Sequence, residues 1–265
     1  MDELLANAER HGDAIIAIGG DGTLSIAQQL VEKGMKIVTV PKTIDNDVSC
    51  TITTFGFDTA VNTAIEAIDK LHTTAESHDR VLVIEVMGRG AGFIALHSGV
   101  AASADVVLIP EIPYDIEKVC EKIIERDRSG RLFSIVVAAE GAISKDRVSA
   151  DQDEGVQGYG GRALALEERL AREIHERTGK ECWSLVLGHL QRGGMPTGYD
   201  RLLATRFGAA AVRAVEKGEW GKMVALQSPH IVTVPITEVL KELKRVDPQH
   251  DTVRTAREMG ISMGN

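Results

Sequence analysis

The sequence predicts an α/β fold with mostly parallel sheets. Two observations support this prediction: short runs rich in Val and Ile recur along the chain, and stretches with helical spacing lie between them. Strands that are apolar throughout and alternate with helices are typical of a parallel sheet covered on both faces. The seven apolar runs are residues 14–18, 36–40, 81–86, 105–109, 133–138, 184–187 and 223–226.

Two segments between these runs have apolar residues at the three- and four-residue spacing of a helix. The first covers residues 116–124, with Asp115 at its start and Gly130 near its end. The second covers residues 163–174 and ends before Gly179. Asp is a common N-cap and glycine a common terminator, so both ends of the first helix are marked in the sequence.

Two other segments differ from this pattern. Residues 1–12 have the composition of a single helix, whereas residues 144–161 are dense in glycine and acidic side chains and follow neither period. A stretch of that length without a period predicts a long loop or a mobile lid.

The composition narrows the function classes. The chain has 265 residues and a formal net charge of -9, which argues against nucleic acid or an anionic membrane as partner. No apolar run reaches the length of a membrane span and no export leader opens the chain, so neither is expected. Its three cysteines form no Cys-x-x-Cys pair, so we expect no disulfide or zinc site and a reducing cytoplasm. An anionic substrate would require a local basic cluster.

The stretch AIGGDGTLS, residues 17–25, indicates a phosphate site between the first strand and a helix. Glycines there let backbone N–H groups approach a phosphate, and the helix N-terminus adds positive charge. Asp21 would repel a phosphate unless a cation lay between them, which indicates Mg²⁺. The alternative is a tight turn with an N-cap at Thr23. The candidate donor-binding residues are Gly20, Asp21, Gly22 and Thr23.

A second acidic stretch, PKTIDND, follows the second strand and is expected beside the first loop at the same sheet edge. Asp45 and Asp47 are two residues apart, which in an extended segment places both carboxylates on one side. One could act as base for a substrate hydroxyl while the other orients that hydroxyl or the metal. A capped, Asp-rich turn is the alternative.

Basic residues follow two further strands. Met87, Gly88 and Arg89 come directly after the strand at 81–86 and before a predicted helix, a position suited to an anion. His189 and Arg192 follow the strand at 184–187 and offer a switchable donor and a planar guanidinium. Each alone could be a surface charge, but together they supply the basic cluster that an anionic substrate needs.

The motifs GGDGT, PKTIDND, EVMGRGAG, AAEGA and LGHLQRGG together resemble the 6-phosphofructokinase family over nearly the whole chain. NAD kinases and lipid kinases resemble it in GGDGT but carry none of the last four. The resemblance implies two αβα sandwich domains. A donor domain would span 1–56 plus 191–241, and a fructose 6-phosphate domain 57–190 plus 242–265.

The family resemblance also implies an activity: phosphorylation of fructose 6-phosphate at its 1-hydroxyl in glycolysis, with ATP and Mg²⁺. Asp45 would be the base, Asp21 the metal ligand, and Lys42 and Arg89 further catalytic residues. Arg80 would reach the active site of a neighbouring subunit, which implies a dimeric or tetrameric homo-oligomer. The implied substrate-binding residues are Thr43, Asp45, Arg80, Met87, Gly88, Arg89, Glu140, His189 and Arg192.

The chain also departs from the family pattern. The resemblance implies a further strand and glycine loop ahead of residue 1, so we expect a truncated donor domain and reduced activity. Trp183 stands where many relatives carry an arginine, and His72 replaces a basic effector-site residue. Gly22 leaves room for ATP, whereas pyrophosphate-using relatives commonly carry Asp there; Lys42 tolerates both donors. The alternatives are a pyrophosphate-dependent enzyme, a NAD or lipid kinase, and an inactive sugar-phosphate-binding fragment.

Overall fold

The computed structural model describes residues 13–150 and 165–265, without the side chains of residues 149 and 150. The predicted helix at 1–12, and residues 151–161 of the predicted lid, lie outside the described residues. Within them strands alternate with helices, which confirms the predicted α/β fold. The strands are β1 (Ile15–Gly19), β2 (Ile37–Thr43), β3 (Phe55–Gly56), β4 (Val81–Val86), β5 (Val106–Leu108), β6 (Ser134–Ala139), β7 (Cys182–Val186), β8 (Lys222–Gln227) and β9 (His230–Pro235).

The helices lie mostly between successive strands. One 3-10 helix, Gly188–Arg192, follows β7. The α-helices are α1 (Asp21–Glu32), α2 (Phe57–Ser77), α3 (Phe93–Ala101), α4 (Ile116–Arg128), α5 (Lys145–Ala150), α6 (Leu166–Thr178), α7 (Gly198–Glu216), α8 (Ile236–Val239) and α9 (Asp251–Glu258). None of the described helices is long and apolar enough to cross a membrane.

The chain divides into two compact units, each with its own sheet. The first unit comprises Met1–Thr59 and Met195–Lys244, and the second comprises Ala60–Gly194 and Arg245–Asn265. The first sheet has the order β1-β2-β8-β9, with β3 beside β2, and the second has the order β5-β6-β4-β7. The described strand pairs are parallel apart from β8 and β9, so the prediction of mostly parallel sheets is confirmed.

Strand β2 of the first sheet is covered on both faces, whereas β1 exposes Ile16 and Ile18 among the described residues. Ile37 packs in a cluster with Leu24 of α1 and with α8, while the adjacent Val38 packs with Phe207 of α7. Neighbouring residues of a strand point to opposite faces, so both must be apolar when helices cover both sides. This burial explains why β2 has no polar alternation in the sequence.

The core of the second unit follows the same rule. Helices α4 and α6 pack against β4, β5 and β6, and α3 also contacts β5 and β6. The predicted helix at 116–124 is confirmed: the Asp115 side chain accepts a hydrogen bond from the Glu117 N–H at its start. Gly179 ends α6 with φ +70°, a conformation that favours glycine.

Three features differ from the sequence prediction. Residues 145–150 form α5 where a loop was expected. The antiparallel strand β9 was not predicted, because its side chains are mostly half-buried and it has no helix before it. The alternative interpretation of the glycine loop, a turn with an N-cap at Thr23, is wrong, since α1 already begins at Asp21 after Gly20.

Candidate active site

The first glycine loop connects β1 to α1. The Gly20 carbonyl accepts hydrogen bonds from the N–H groups of Thr23 (2.9 Å) and Leu24 (3.1 Å), and no side chain caps the helix. The first N–H groups of a helix lack acceptors within it and carry partial positive charge. The turn from Gly20 to Asp21 therefore offers the donors that the sequence predicted for a phosphate.

The glycines of this loop differ in how strongly their surroundings require a residue without a side chain. A Cβ on Gly19 would lie 2.2 Å from Thr23 Oγ1, so the close packing of the loop on α1 requires glycine there. A Cβ on Gly20 would lie 3.4 Å from Thr43 Cβ, which is about van der Waals contact. Gly22 is exposed, and a Cβ there would meet no described atom within 4 Å. The fold therefore places no demand on residue 22.

The second loop lies directly beside the first. Strands β1 and β2 are parallel and Gly19 pairs with Pro41, so Lys42 and Thr43 come next to the glycine loop at the carboxyl edge of the sheet. The predicted juxtaposition of the two loops is confirmed. Lys42 is exposed, whereas the Thr43 side chain is half-buried.

Asp45 lies in a bend after β2 and is 4% exposed. Its N–H donates to Thr43 Oγ1 at 3.1 Å, and the Thr43 hydroxyl donates to Asp45 Oδ2 at 3.3 Å. The next residue, Asn46, has φ +55°, so the segment is not extended. The expectation that an extended backbone aligns Asp45 with Asp47 is therefore wrong, although both carboxylates are buried.

Asn46 and Lys244 hold this bend, and neither was predicted as a site residue from the sequence. The Asn46 amide oxygen accepts a hydrogen bond from the Thr54 N–H at 3.1 Å and from Lys244 Nζ at 3.1 Å. Burial lowers the pKa of Lys244 to about 8, against the opposing effect of the Asp47 carboxylate. Lys244 follows Asn46 by 198 positions, so no local motif could reveal this contact.

Asp21 is the candidate metal ligand. Among the described residues no group of three or more His, Cys, Asp or Glu side chains could hold a metal ion. Mg²⁺ in nucleotide sites is usually held by one or two carboxylates together with phosphate oxygens and water. A single carboxylate at a phosphate loop fits that mode, and does not fit a cation held by protein ligands alone.

In the second unit, the loop after β4 meets the end of β6. The Arg89 N–H donates to Glu140 Oε1 at 2.7 Å, and the Glu140 N–H donates to the Val86 carbonyl at 2.9 Å. Gly88 has φ +147°, and a Cβ there would lie 2.5 Å from the Ala91 carbonyl oxygen. The structure thus brings Met87, Gly88, Arg89 and Glu140 together at the carboxyl edge of this sheet.

The 3-10 helix Gly188–Arg192 contacts this group through Gln191, which was not predicted from the sequence. Gln191 is 1% exposed, and its Oε1 accepts a hydrogen bond from the Met87 N–H at 3.3 Å. His189 and Arg192 flank it and are exposed. The only signal for Gln191 in the sequence is its position between the two predicted basic residues.

The start of α3 is already bonded to a side chain. Both carboxylate oxygens of Glu111 accept from the Gly92 N–H, at 3.0 and 3.1 Å, and Oε1 also accepts from the Val246 N–H at 2.9 Å. The Glu111 carboxylate would therefore repel an anion at the N-terminus of α3. The predicted anion position lies in the loop before the helix, at Gly88 and Arg89.

A pair of carboxyl groups joins β4, the strand before the Met87–Arg89 loop, to α6. Glu85 of β4 and Glu167 of α6 are hydrogen-bonded side chain to side chain, and Glu167 is 5% exposed. Burial, the Glu167 contact and the negative charge of Glu140 raise the pKa of Glu85 to about 8. Two adjacent carboxylates cannot both ionise cheaply, so the pair retains a proton near neutral pH.

Arg80 is not part of this group, because it precedes β4 whereas Met87 to Arg89 follow it. Its guanidinium lies 2.9 Å from Glu181 Oε1 and 3.7 Å from the ring centroid of Trp183. The Trp183 Nε1–H donates to the same Glu181 oxygen at 3.2 Å. Trp183 therefore stacks on Arg80.

A cavity of about 330 Å³ lies at the opposite, amino edge of the second sheet. Its lining includes Asp105, Lys122, Arg126 and Arg131, and none of the predicted site residues. His72 is also not among the lining residues. Its Nε2 atom lies at hydrogen-bond distance (2.8 Å) from the Ala102 carbonyl oxygen. The predicted site residues lie instead at strand ends and in the adjoining loops.

Comparison with known proteins supports the family resemblance of the sequence. The family profile described as phosphofructokinase matches residues 1–215. An ATP-dependent 6-phosphofructokinase of Chloroflexus aurantiacus is 52% identical over 252 residues, which cover 95% of this chain and 69% of that protein. A pyrophosphate--fructose 6-phosphate 1-phosphotransferase of Streptomyces coelicolor is 55% identical over 238 residues, covering 89% and 69%.

The fold agrees as well. The crystal structure of a pyrophosphate-dependent phosphofructokinase from Nitrosospira multiformis matches with a TM-score of 0.80 at 21% identity, over 100% of this chain and 71% of that chain. That likeness concerns the fold alone. The family profile and the identities above 50% decide the classification, and the chain belongs to the phosphofructokinase family.

Proposed function

We propose that this protein transfers the terminal phosphoryl group of ATP to the 1-hydroxyl of fructose 6-phosphate. The observation that carries the proposal is the pairing of Gly19 with Pro41, which sets the glycine loop beside the loop of Asp45. Phosphoryl transfer requires a donor cradle and a base on the acceptor within one site. The names of the relatives in the family supply the two substrates.

On the donor side, backbone N–H groups of Gly20, Asp21 and Gly22 bind phosphate oxygens, and the exposed Lys42 neutralises the phosphate charge. Thr23 lines the same loop, with its N–H bonded to the Gly20 carbonyl. Asp21 would hold Mg²⁺. When bound, that ion would offset the negative charge that builds on the phosphate oxygens. Because the phosphoryl transition state is loose, positioning and charge neutralisation dominate the rate.

On the acceptor side, Asp45 accepts the proton of the sugar 1-hydroxyl, and the Thr43 hydroxyl orients that carboxylate. Arg89, His189 and Arg192 bind the 6-phosphate as cationic donors. Glu140 accepts hydrogen bonds from sugar hydroxyls, and the backbone at Met87 and Gly88 contacts the sugar. General-base catalysis of this kind contributes a factor of about 10² to 10⁴.

The test is a coupled assay of fructose 1,6-bisphosphate formation by the wild type and by Asp45→Asn. We expect kcat to fall by about 10² to 10⁴ while the KM for fructose 6-phosphate changes little. Asp69→Asn is the matched control, because Asp69 is exposed on α2. Unchanged turnover of Asp45→Asn would exclude Asp45 as the base.

Pyrophosphate is the alternative donor. Lys42 is exposed beside the glycine loop, and one relative at 55% identity is named a pyrophosphate-dependent enzyme. The same assay with each donor in turn decides between them. Calorimetry showing fructose 6-phosphate binding without turnover of either donor would identify a binding fragment. Membership of the phosphofructokinase family decides against the NAD and lipid kinase alternatives.

We further propose that the active protein is a homo-oligomer in which Arg80 serves the site of a second subunit. Its position before β4, away from Arg89, supports this proposal. Mixing Arg80→Ala with Asp45→Asn should restore activity, because hybrid oligomers then contain one site with both groups intact. If the mixture stays inactive, Arg80 does not act across subunits. The reducing cytoplasm expected from the cysteine pattern stays a prediction.

A further inference from the structure

Lys244 ends the first unit, and its side chain is directed into the loop that follows β2. The ammonium group donates to three oxygens: Asn46 Oδ1 at 3.1 Å, the Thr51 carbonyl at 3.1 Å and the Ile52 carbonyl at 2.6 Å. Its backbone N–H donates to the Asp47 carbonyl at 2.9 Å. Four hydrogen bonds thus join one lysine to one loop.

The charged form of this lysine suits the three acceptors. An ammonium group has three N–H donors and no acceptor, so each of the three oxygens can receive one hydrogen bond. A neutral amine would have two donors for three oxygens and would leave one of these oxygens facing its lone pair. Hydrogen bonds from charged groups are about twice as strong as neutral ones.

The bonded loop includes the candidate base. Asp45 precedes Asn46, whose φ of +55° is sparsely populated by residues other than glycine. The Asn46 Oδ1 atom accepts hydrogen bonds both from Lys244 and from the Thr54 N–H. The Thr54 hydroxyl in turn donates to the Thr43 carbonyl at 2.8 Å. The bend that directs Asp45 therefore depends on a contact from the far end of the unit.

Other contacts fix the far side of the same loop to β8. The Ile52 N–H donates to the Leu226 carbonyl at 3.0 Å, and the Leu226 N–H donates to Thr51 Oγ1 at 3.0 Å. With that side attached to the sheet, Lys244 links the attached residues Thr51 and Ile52 to the bend at Asn46, in addition to the hydrogen bond from the Thr54 N–H. A displacement of the bend by about 1 Å can cost about 100-fold in rate.

We infer that Lys244 is a positioning residue, which fixes the orientation of the Asp45 carboxylate by bonding Asn46 to the backbone of Thr51 and Ile52. Lys244 acts through the loop and does not contact the reacting atoms. The inference rests on the proposed function, because it assigns Asp45 the role of base.

The test compares Lys244→Met, Lys244→Arg and Lys241→Met in the coupled assay and in amide hydrogen exchange. Methionine keeps the length but removes the donors, whereas arginine retains them. Lys241 is the matched control, because it is exposed on the same segment and its ammonium pairs with Glu238. We expect kcat of Lys244→Met to fall by about 10- to 100-fold, with little change in KM for fructose 6-phosphate. Lys244→Arg should recover part of that loss and Lys241→Met should match the wild type.

Amide hydrogen exchange tests the contact of Lys244 with Asn46 independently of the proposed function, because it requires no enzymatic activity. The Thr54 amide should exchange about tenfold faster in Lys244→Met, because its acceptor Asn46 loses its anchor. Wild-type exchange of that amide in Lys244→Met, or faster exchange with unchanged kcat, would overturn the positioning role. A wild-type protein without any kinase activity would refute the proposed function, whatever the exchange result. If Lys244→Met does not fold, Asn46→Gly retains the left-handed backbone but removes the shared acceptor, and the same fall in kcat is expected.

Discussion

The Glu85–Glu167 pair predicts an unusual pH dependence of stability. The pKa of Glu85 is raised from 4.5 to about 8 by burial and by its carboxyl neighbours. The folded state therefore binds a proton that the unfolded state has lost throughout this pH range. Stability rises with pH only where the unfolded state binds more protons, so the free energy of unfolding should fall as pH rises from about 4.5 to about 8.

The substitution Glu85→Gln removes the charge and retains a hydrogen-bonding side chain. The difference between 4.5 and about 8 corresponds to at most about 5 kcal/mol. Because Glu85 is only partly buried, solvent screening reduces this to roughly 1 to 2 kcal/mol. We expect Glu85→Gln to raise the free energy of unfolding by that amount at pH 8.5 and to change it little at pH 4.5.

Urea unfolding followed by circular dichroism, at pH 4.5, 6.5 and 8.5, measures this difference. Glu168→Gln is the matched control, because Glu168 is the exposed neighbour of Glu167 on α6. If the gap between wild type and Glu85→Gln is the same at all three pH values, the pair holds no extra proton and the reasoning fails.

Three further predictions concern single residues of the site. Gly22→Asp should fold normally, because a Cβ there meets no described atom within 4 Å, and should lower ATP turnover relative to pyrophosphate turnover; equal losses with both donors in the coupled assay would contradict the role of residue 22. Trp183→Ala should weaken fructose 6-phosphate binding, measured by calorimetry, by removing the ring stacked on Arg80, a contact worth about 0.5 to 2 kcal/mol; unchanged affinity would show that the stack is dispensable. Gly141→Ala should raise the KM for fructose 6-phosphate by about tenfold or more, because a Cβ there would lie 2.3 Å from the Arg89 carbonyl oxygen and displace that loop; a wild-type KM would show that the loop does not need its present position.

The fold was predictable from the sequence because β2, β4, β5, β6 and β8 are buried on both faces, although β1 and β7 expose apolar side chains. Continuous apolar runs such as the one at 36–40 follow directly from that burial, and the Asp115 cap and Gly179 terminator mark helix ends through local geometry. The strand β9 was missed because it pairs antiparallel with β8 through a short turn, without a helix between them.

The site was predictable only where its chemistry is local. The glycine loop and the residues after β2 carry their signal in adjacent positions. Lys244 and Gln191 act on partners far away in sequence, Asn46 and Met87, and such contacts leave no periodic trace. The left-handed backbone of Asn46 also escaped prediction, because Asn is common in loops for several unrelated reasons.

The interleaving of the two units along the chain has a consequence for biosynthesis. In the first sheet, Val38 of β2 pairs with Lys222 of β8, so the nascent chain must extend past the second sheet before this pairing forms. All four strands of the second sheet have been synthesised by Val186. Closing a long loop costs entropy and delays folding. During translation, the loop after β2 therefore lacks its contacts with β8 and Lys244 until those residues leave the ribosome, whereas the second unit has all four strands of its sheet earlier.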